Sequence, residues 1–173
     1  METEATQEFK QGLNLLRNDY PGKALAHLRM AVELEKNNPF YLSYLGVALA
    51  RAGRNWSLAA NRYSQSWQMK RTPPDFDLAA KLCSQALQMK RTQAEFYLNL
   101  AEVYGLAGSK EDAIETLSRG LKFTKQNEHL ADALRQFGCR RPPVLRFLDR
   151  THFLNRHFGK MRNRLLLSIG KAV

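Results

Sequence analysis

The chain has 173 residues, 44% of them hydrophobic and 25% charged, which is ordinary for one globular domain with an apolar core. Its two cysteines, Cys83 and Cys139, argue against a disulfide framework and favour a reducing, cytoplasmic compartment. No apolar run approaches the roughly 18 residues of a transmembrane helix, and the acidic start METEATQEFK is unlike a secretory signal.

The net charge of +11 is unevenly distributed along the chain. Residues 139–173 hold nine Lys or Arg and one acid, Asp149, which gives +8. Residues 1–138 hold 18 basic and 15 acidic residues, which gives +3. We therefore expect a domain of nearly balanced charge, 1–138, followed by a basic tail, 139–173. Such a charge asymmetry is informative about binding partners rather than about the fold.

Small and large apolar residues recur at a long period, in segments of about 34 residues. In residues 5–38, they are Gly12, Ala24, Leu28 and Ala31. In residues 39–73, they are Leu42, Leu45, Gly46, Leu49, Gly53, Ala59, Tyr63 and Ser66. In residues 94–127, they are Tyr97, Leu100, Ala101, Tyr104, Gly108, Ala113, Leu117, Gly120 and Leu121.

This pattern resembles the tetratricopeptide repeat (TPR), a helix-turn-helix unit of 34 residues. The resemblance covers residues 5–73 and 94–127, and it implies an all-α solenoid of helical hairpins wound as a right-handed superhelix. Residues 128–138 form a further amphipathic segment, where such a solenoid needs a capping helix over its last apolar face.

Residues at the predicted helix ends agree with these units. Asn38 is suited to cap a helix that has Pro39 in its first turn. Gly53 and Gly108 occupy turn positions, where a positive φ is expected. Ser109 is suited to cap the following helix.

A second, shorter repeat interrupts the array. Residues 58–77 and 78–97 are identical at eleven of twenty aligned positions, including the run Gln-Met-Lys-Arg-Thr. Both copies match the second helix of a repeat, and the prolines Pro73 and Pro74 separate them. We interpret this as a tandem duplication that inserts one extra helix at about 74–93, with Asp75 as its N-cap.

Two outcomes of the duplication stay open. Helices at 55–71 and 76–91 could form a hairpin that continues the stack. Alternatively, the two copies could compete for one position, and the displaced copy could expose apolar residues such as Trp67 or Leu82 and pair with a second molecule. The second outcome predicts a homodimer through residues 55–91.

Residues that carry chemistry are scattered. The four histidines and two cysteines have no metal-ligand spacing, and no phosphate-binding glycine loop or nucleophile motif is present. We therefore expect no enzyme, no metal and no cofactor.

The resemblance implies that the first helices of the units line a concave groove that holds a partner protein's peptide or helix. Carried over by position, the groove residues are Phe9, Leu13, Leu16, Phe40, Ser43, Val47, Arg51, Glu95, Leu98, Asn99 and Glu102. The carboxylate clamp of chaperone-tail binders needs Lys and Asn, whereas the corresponding positions hold Phe9, Leu13, Tyr44, Glu95 and Asn99. An apolar groove with mixed charge suits an amphipathic helix or extended peptide. Some of these residues, such as Leu13 and Val47, could instead pack against neighbouring helices.

The tail predicts one more amphipathic helix. Its apolar stripe is Leu154, Phe158, Met161, Leu165 and Ile169, flanked by the basic residues Arg156, Lys160, Arg162 and Arg164. Such a helix could dock on a solenoid, lie on an acidic membrane surface, or contact nucleic acid. We expect a non-catalytic scaffold or adaptor, with a membrane or nucleic-acid tether through the tail as the alternative.

Overall fold

The structure, a computed structural model, describes residues 2–62, 75–124 and 127–137, with side chains for all of these except 56–62. It divides the chain into two units, Met1–Gly138 and Cys139–Val173, and every residue described here belongs to the first. The described residues form helices and no strand, which confirms the all-α prediction. The helices are α1 (Glu4–Arg17), α2 (Pro21–Leu34), α3 (Pro39–Arg62), α4 (Phe76–Met89), α5 (Ala94–Leu106), α6 (Lys110–Phe123) and α7 (Glu128–Gln136).

The helices pack as three consecutive hairpins. The two helices of each hairpin are α1 and α2, α3 and α4, and α5 and α6. Each hairpin packs on the next, because α2 contacts α3 and α4 contacts α5. The last helix, α7, packs on α6 and touches α5. This is the helical-hairpin solenoid expected from the sequence, because no hairpin buries its apolar faces alone.

Several predicted helix ends are observed. The Asp75 side chain caps α4 by accepting a hydrogen bond from the Leu78 N–H at 2.8 Å. Asn38 does the same for α3, accepting from the Phe40 N–H at 3.1 Å. Gly108 has a φ of +84°, as its turn position requires. Ser109 is the residue before α6, but its side chain makes no capping hydrogen bond, unlike our expectation.

The predicted turn at Gly53 is wrong. Helix α3 runs without interruption from Pro39 to Arg62, so Gly53 lies inside a helix and is buried. The second helix predicted from residue 55 therefore does not begin there. The partner of α3 in the middle hairpin is α4, which from Leu78 onward belongs to the second copy of the duplicated segment. Residues 63–74, with most of the first copy, lie outside the described residues.

Small residues let the helices approach closely. A Cβ atom on Gly12 would lie 2.6 Å from the Leu28 Cγ atom, which joins α1 to α2. Leu28 and Ala24 are fully buried in the cluster that also contains Leu16 and Leu45. These contacts are the interdigitation that the small positions of the sequence pattern predict. Within the described residues, no helix is both long and apolar enough to cross a membrane.

Candidate functional site

The first helices of the hairpins, α1, α3 and α5, lie side by side, since α3 packs on α5 and α1 contacts α3. All eleven residues predicted for the groove lie on these three helices. Their placement divides them into buried packing residues and half-buried surface residues.

Three of the predicted groove residues are buried between α3 and α5. Ser43 has no exposed surface, and the Asn99 side chain, in a residue only 8% exposed, donates from Nδ2 to Ser43 Oγ at 3.0 Å. Val47 packs in the apolar cluster that contains Leu100 and Val103. These three side chains hold the two helices together, which is the packing alternative that the sequence left open, and they offer almost no surface to a ligand.

Two pairs of polar side chains bridge the same helices nearer the surface. Arg51 donates two hydrogen bonds to the Glu102 carboxylate, from Nε at 2.5 Å and from Nη2 at 3.0 Å. The Arg51 Nη1 atom also donates to the Leu16 carbonyl oxygen at 3.3 Å, so this guanidinium connects α1, α3 and α5. The Tyr44 hydroxyl donates to the Glu95 carboxylate.

These contacts fix the protonation states of the bridging groups. Burial, together with the hydrogen bond to Glu95, raises the pKa of the Tyr44 hydroxyl above its ordinary value. The hydrogen bond to Glu102 raises the pKa of Arg51 against the opposing effect of burial. Tyr44 is therefore a neutral donor and Arg51 a permanent cation at physiological pH.

An aromatic cluster joins α1 to α3 beside these pairs. The Phe9 ring centroid lies 4.6 Å from that of Tyr41 and 5.6 Å from that of Tyr44. Leu13 follows Phe9 by one helical turn and is half-buried. Sequence reasoning did not assign Tyr41 to this cluster, although Tyr41 and Tyr44 are spaced by three residues, which places two aromatic rings near one helix face.

Together, six half-buried residues form what we call the first-helix face: Phe9, Leu13, Tyr44, Arg51, Glu95 and Glu102. A ring contact and a hydrogen bond connect Phe9, Tyr44 and Glu95, and a separate bridge joins Arg51 to Glu102 on the same two helices, α3 and α5. Leu13 lies one helical turn after Phe9 on α1. The face is apolar on α1, mixed on α3 and acidic on α5.

Three predicted groove residues lie away from this face. Phe40, near the start of α3, packs its ring 5.0 Å from Phe96, with the Lys90 ammonium 5.6 Å from its centroid. It borders a shallow depression of about 640 Å³ formed by residues 35–40 and Lys90. Leu98 packs against the cluster shared with α6 and α7. Leu16 is buried.

Other predicted residues bring no further chemistry to the described part of the chain. The tail residues Arg156, Lys160, Arg162 and Arg164 lie outside it. Within residues 2–62, 75–124 and 127–137, no group of three or more His, Cys, Asp or Glu could hold a metal ion. Cys83 is fully buried on α4.

The comparisons with known proteins agree with this architecture. Residues 75–137 match the tetratricopeptide repeat family. No curated protein matches the chain. The first TPR domain of human RPAP3 has a TM-score of 0.57 at 15% identity, over 77% of this chain and 88% of that chain.

Two further structures are similar. The second TPR domain of human RPAP3, in complex with the HSP70 peptide SGPTIEEVD, has a TM-score of 0.55 at 12% identity, over 77% of this chain and 93% of that chain. The Arabidopsis OM64 TPR domain has a TM-score of 0.54 at 15% identity, over 79% and 95%. At these identities, the similarity is one of fold. The match of residues 75–137 and the similarity of the three packed hairpins to solved TPR domains show that the described part of the chain has the tetratricopeptide-repeat fold.

Proposed function

We propose that this chain is a non-catalytic interaction scaffold that holds a peptide or short helix of another protein on the first-helix face. The observation that carries the proposal is the half-buried apolar surface of Phe9, Leu13 and Tyr44 on neighbouring helices. An apolar patch beside fixed charges suits a partner segment with an apolar face and a polar edge. The similar RPAP3 domain was solved in complex with an HSP70 peptide, which supports peptide binding as a use of this fold.

The chemistry of the face argues against an acidic chaperone tail as the partner. A carboxylate clamp needs free Lys and Asn side chains, and Asn99 is buried and bonded to Ser43. Arg51 is occupied by Glu102, and Glu95 adds a negative charge. A partner with apolar side chains and a basic group near Glu95 is the better complement, since like charges repel across an interface.

The test uses peptides selected from a displayed random library against the full chain. We expect the selected peptides to be apolar or amphipathic and the HSP70 peptide SGPTIEEVD to remain unbound. Leu13→Glu should weaken binding of a selected peptide about tenfold or more, because it places a charge in the apolar contact. Fluorescence anisotropy with a labelled peptide measures the effect.

Met30→Glu is the matched control, because Met30 is a 46% exposed apolar residue on α2, outside the first-helix face. It introduces the same charge and should leave binding unchanged. Equal binding by wild type and Leu13→Glu would contradict the proposal, as would equal loss in both variants.

The basic tail supports a second function, tethering to an anionic surface. Its net +8 lies within 35 residues, and each basic group near an anionic membrane adds on the order of 1 kcal/mol. Replacing Arg156, Lys160, Arg162 and Arg164 by Gln in the full chain should abolish pelleting with phosphatidylserine vesicles. A salt-steep DNA mobility shift that the same variant loses would instead assign the tail to nucleic acid. Unchanged behaviour in both assays would exclude the tether.

A further inference from the structure

In the middle hairpin, α4 is the second helix and packs against α3. Two segments of this chain match the sequence pattern of that second helix. The structure places the second copy there, as α4. The first copy begins at Leu58, precedes the second copy in the chain and has a similar sequence. The contacts of α4 indicate why the second copy is selected.

Helix α4 meets α3 through three small residues. Ala79, Cys83 and Ala86 have no exposed surface. A Cβ atom on Gly46 would lie 2.6 Å from the Cys83 Sγ atom and 2.7 Å from the Ala79 carbonyl oxygen. The Cys83 thiol donates to the Ser43 carbonyl oxygen at 3.3 Å. The position therefore has no room for a larger side chain at residue 83.

The first copy differs from the second at two of these three places. Aligned by the repeat, Ala59 corresponds to Ala79, but Tyr63 corresponds to Cys83 and Ser66 to Ala86. A tyrosine ring at the place of Cys83 would overlap Gly46, and overpacking of this kind costs about 1–3 kcal/mol or more. A serine hydroxyl at the fully buried place of Ala86 would need a new partner or cost about 1–3 kcal/mol.

We propose that Cys83 and Ala86, through their small size, decide which of the two copies forms the second helix of the middle hairpin. The first copy is the weaker occupant of the same position. When it occupies that position, the chain turns at Gly53, as a regular repeat would, and α4 is displaced. The balance between the two arrangements is set by the difference in fit, and a few kcal/mol keeps the displaced arrangement rare.

This proposal predicts that improving the first copy releases α4. In a Cys139→Ser background, Cys83 is the single thiol, and its burial protects it from a maleimide reagent. The triple variant Tyr63→Ala, Ser66→Ala, Trp67→Leu gives the first copy side chains as small as those of α4. We expect native-state labelling of Cys83 to become at least about tenfold faster, since each 1.4 kcal/mol of lost preference changes the population tenfold.

A fourth substitution separates exchange from simple destabilisation. Adding Gln65→Pro to the triple variant prevents the first copy from forming a helix, because proline removes an N–H and clashes inside a helix. Labelling of Cys83 should then return to the rate of the background protein. Thermal unfolding followed by circular dichroism shows that each variant is folded at the labelling temperature.

Two results would overturn the proposal. Labelling that stays as slow in the folded triple variant as in the background means that the first copy cannot reach the position. Fast labelling that persists after Gln65→Pro means that the substitutions loosen α4 without exchange.

Discussion

At the residue scale, the contact between Gly46 and Cys83 sets how closely α3 and α4 approach. We expect Gly46→Ala to lower the free energy of unfolding by about 1–3 kcal/mol, because its Cβ would collide with a thiol and with a backbone oxygen that cannot move alone. Urea unfolding measures the change.

The control for this prediction is Gly22→Ala in α2, where an added Cβ would meet no atom within 4 Å. Alanine should leave stability unchanged or raise it by up to about 1 kcal/mol there, as its helix propensity is higher. A Gly46→Ala protein as stable as wild type would show that the helices separate without cost.

The same buried thiol gives a pH dependence. Burial raises the pKa of Cys83 from 9.0 to about 12, so between these values the unfolded thiol loses its proton while the folded one keeps it. The folded state then binds more protons, and its stability falls as pH rises above 9, with full stability present below that value.

Comparison with Cys83→Ala isolates this effect. The free energy of unfolding of wild type relative to the variant should fall by about 1.4 kcal/mol between pH 8 and pH 10, because the unfolded thiol, with a pKa of 9.0, loses its proton over this range and the folded thiol does not. Urea unfolding at the two pH values measures it. A difference that does not change with pH would mean that the folded thiol ionises as easily as the unfolded one.

Single residues were predictable from sequence where the cause is local. The capping of α4 by Asp75 and the positive φ of Gly108 depend on a few neighbouring residues. The burial of Ser43 and Asn99 depends on how α3 meets α5, which are distant in sequence. A periodic pattern places both on the correct helix but does not tell a groove residue from a packing residue.

At the element scale, α3 is longer than the repeat pattern predicts, and the duplicated segment explains the difference. Gly53 is a turn residue in a regular repeat, yet here the helix passes through it to Arg62. A helix tolerates glycine at a cost of about 1 kcal/mol, and better packing elsewhere can outweigh this. Here α4 supplies the second helix, so α3 has no need to turn at Gly53. Sequence periodicity alone does not predict which copy forms the second helix of the middle hairpin, because both copies fit the periodic pattern equally.

Arg51 joins the first helices α1, α3 and α5, and its ion pair with Glu102 should contribute measurably to their packing. A double-mutant cycle of Arg51→Met and Glu102→Gln should give a coupling energy of about 0.5–1 kcal/mol, because both side chains are partly exposed, at 29% and 35%. The coupling should shrink at high salt, which screens the pair.

The exposed pair Arg135 and Asp132 within α7 serves as the control, with side chains 79% and 59% exposed. Its coupling should be close to zero at any salt concentration, since solvent screens it. Equal coupling in the two pairs would mean that the Arg51 bridge adds nothing to the packing of α1, α3 and α5.

At the scale of the whole molecule, the duplicated segment predicts that two chains associate through residues 55–91. Helix α4 presents two large apolar residues within this segment, Leu78 and Met89, exposed at 42% and 44%. We predict a concentration-dependent dimer, measured by size-exclusion chromatography with light scattering, since exposed apolar helices tend to find partners.

Two routes to this dimer predict different variants. If the surface of α4 forms the contact, Leu78→Glu with Met89→Glu should give monomers, while Met30→Glu with Phe123→Glu, the same charge change on exposed residues of α2 and α6, should not. If the chains instead exchange the duplicated helix, Gln65→Pro alone should give monomers, because the first copy must be helical to fill the partner's second-helix position. A wild-type mass of one chain at every concentration would exclude both routes. The duplicated helix would then pack only within its own chain.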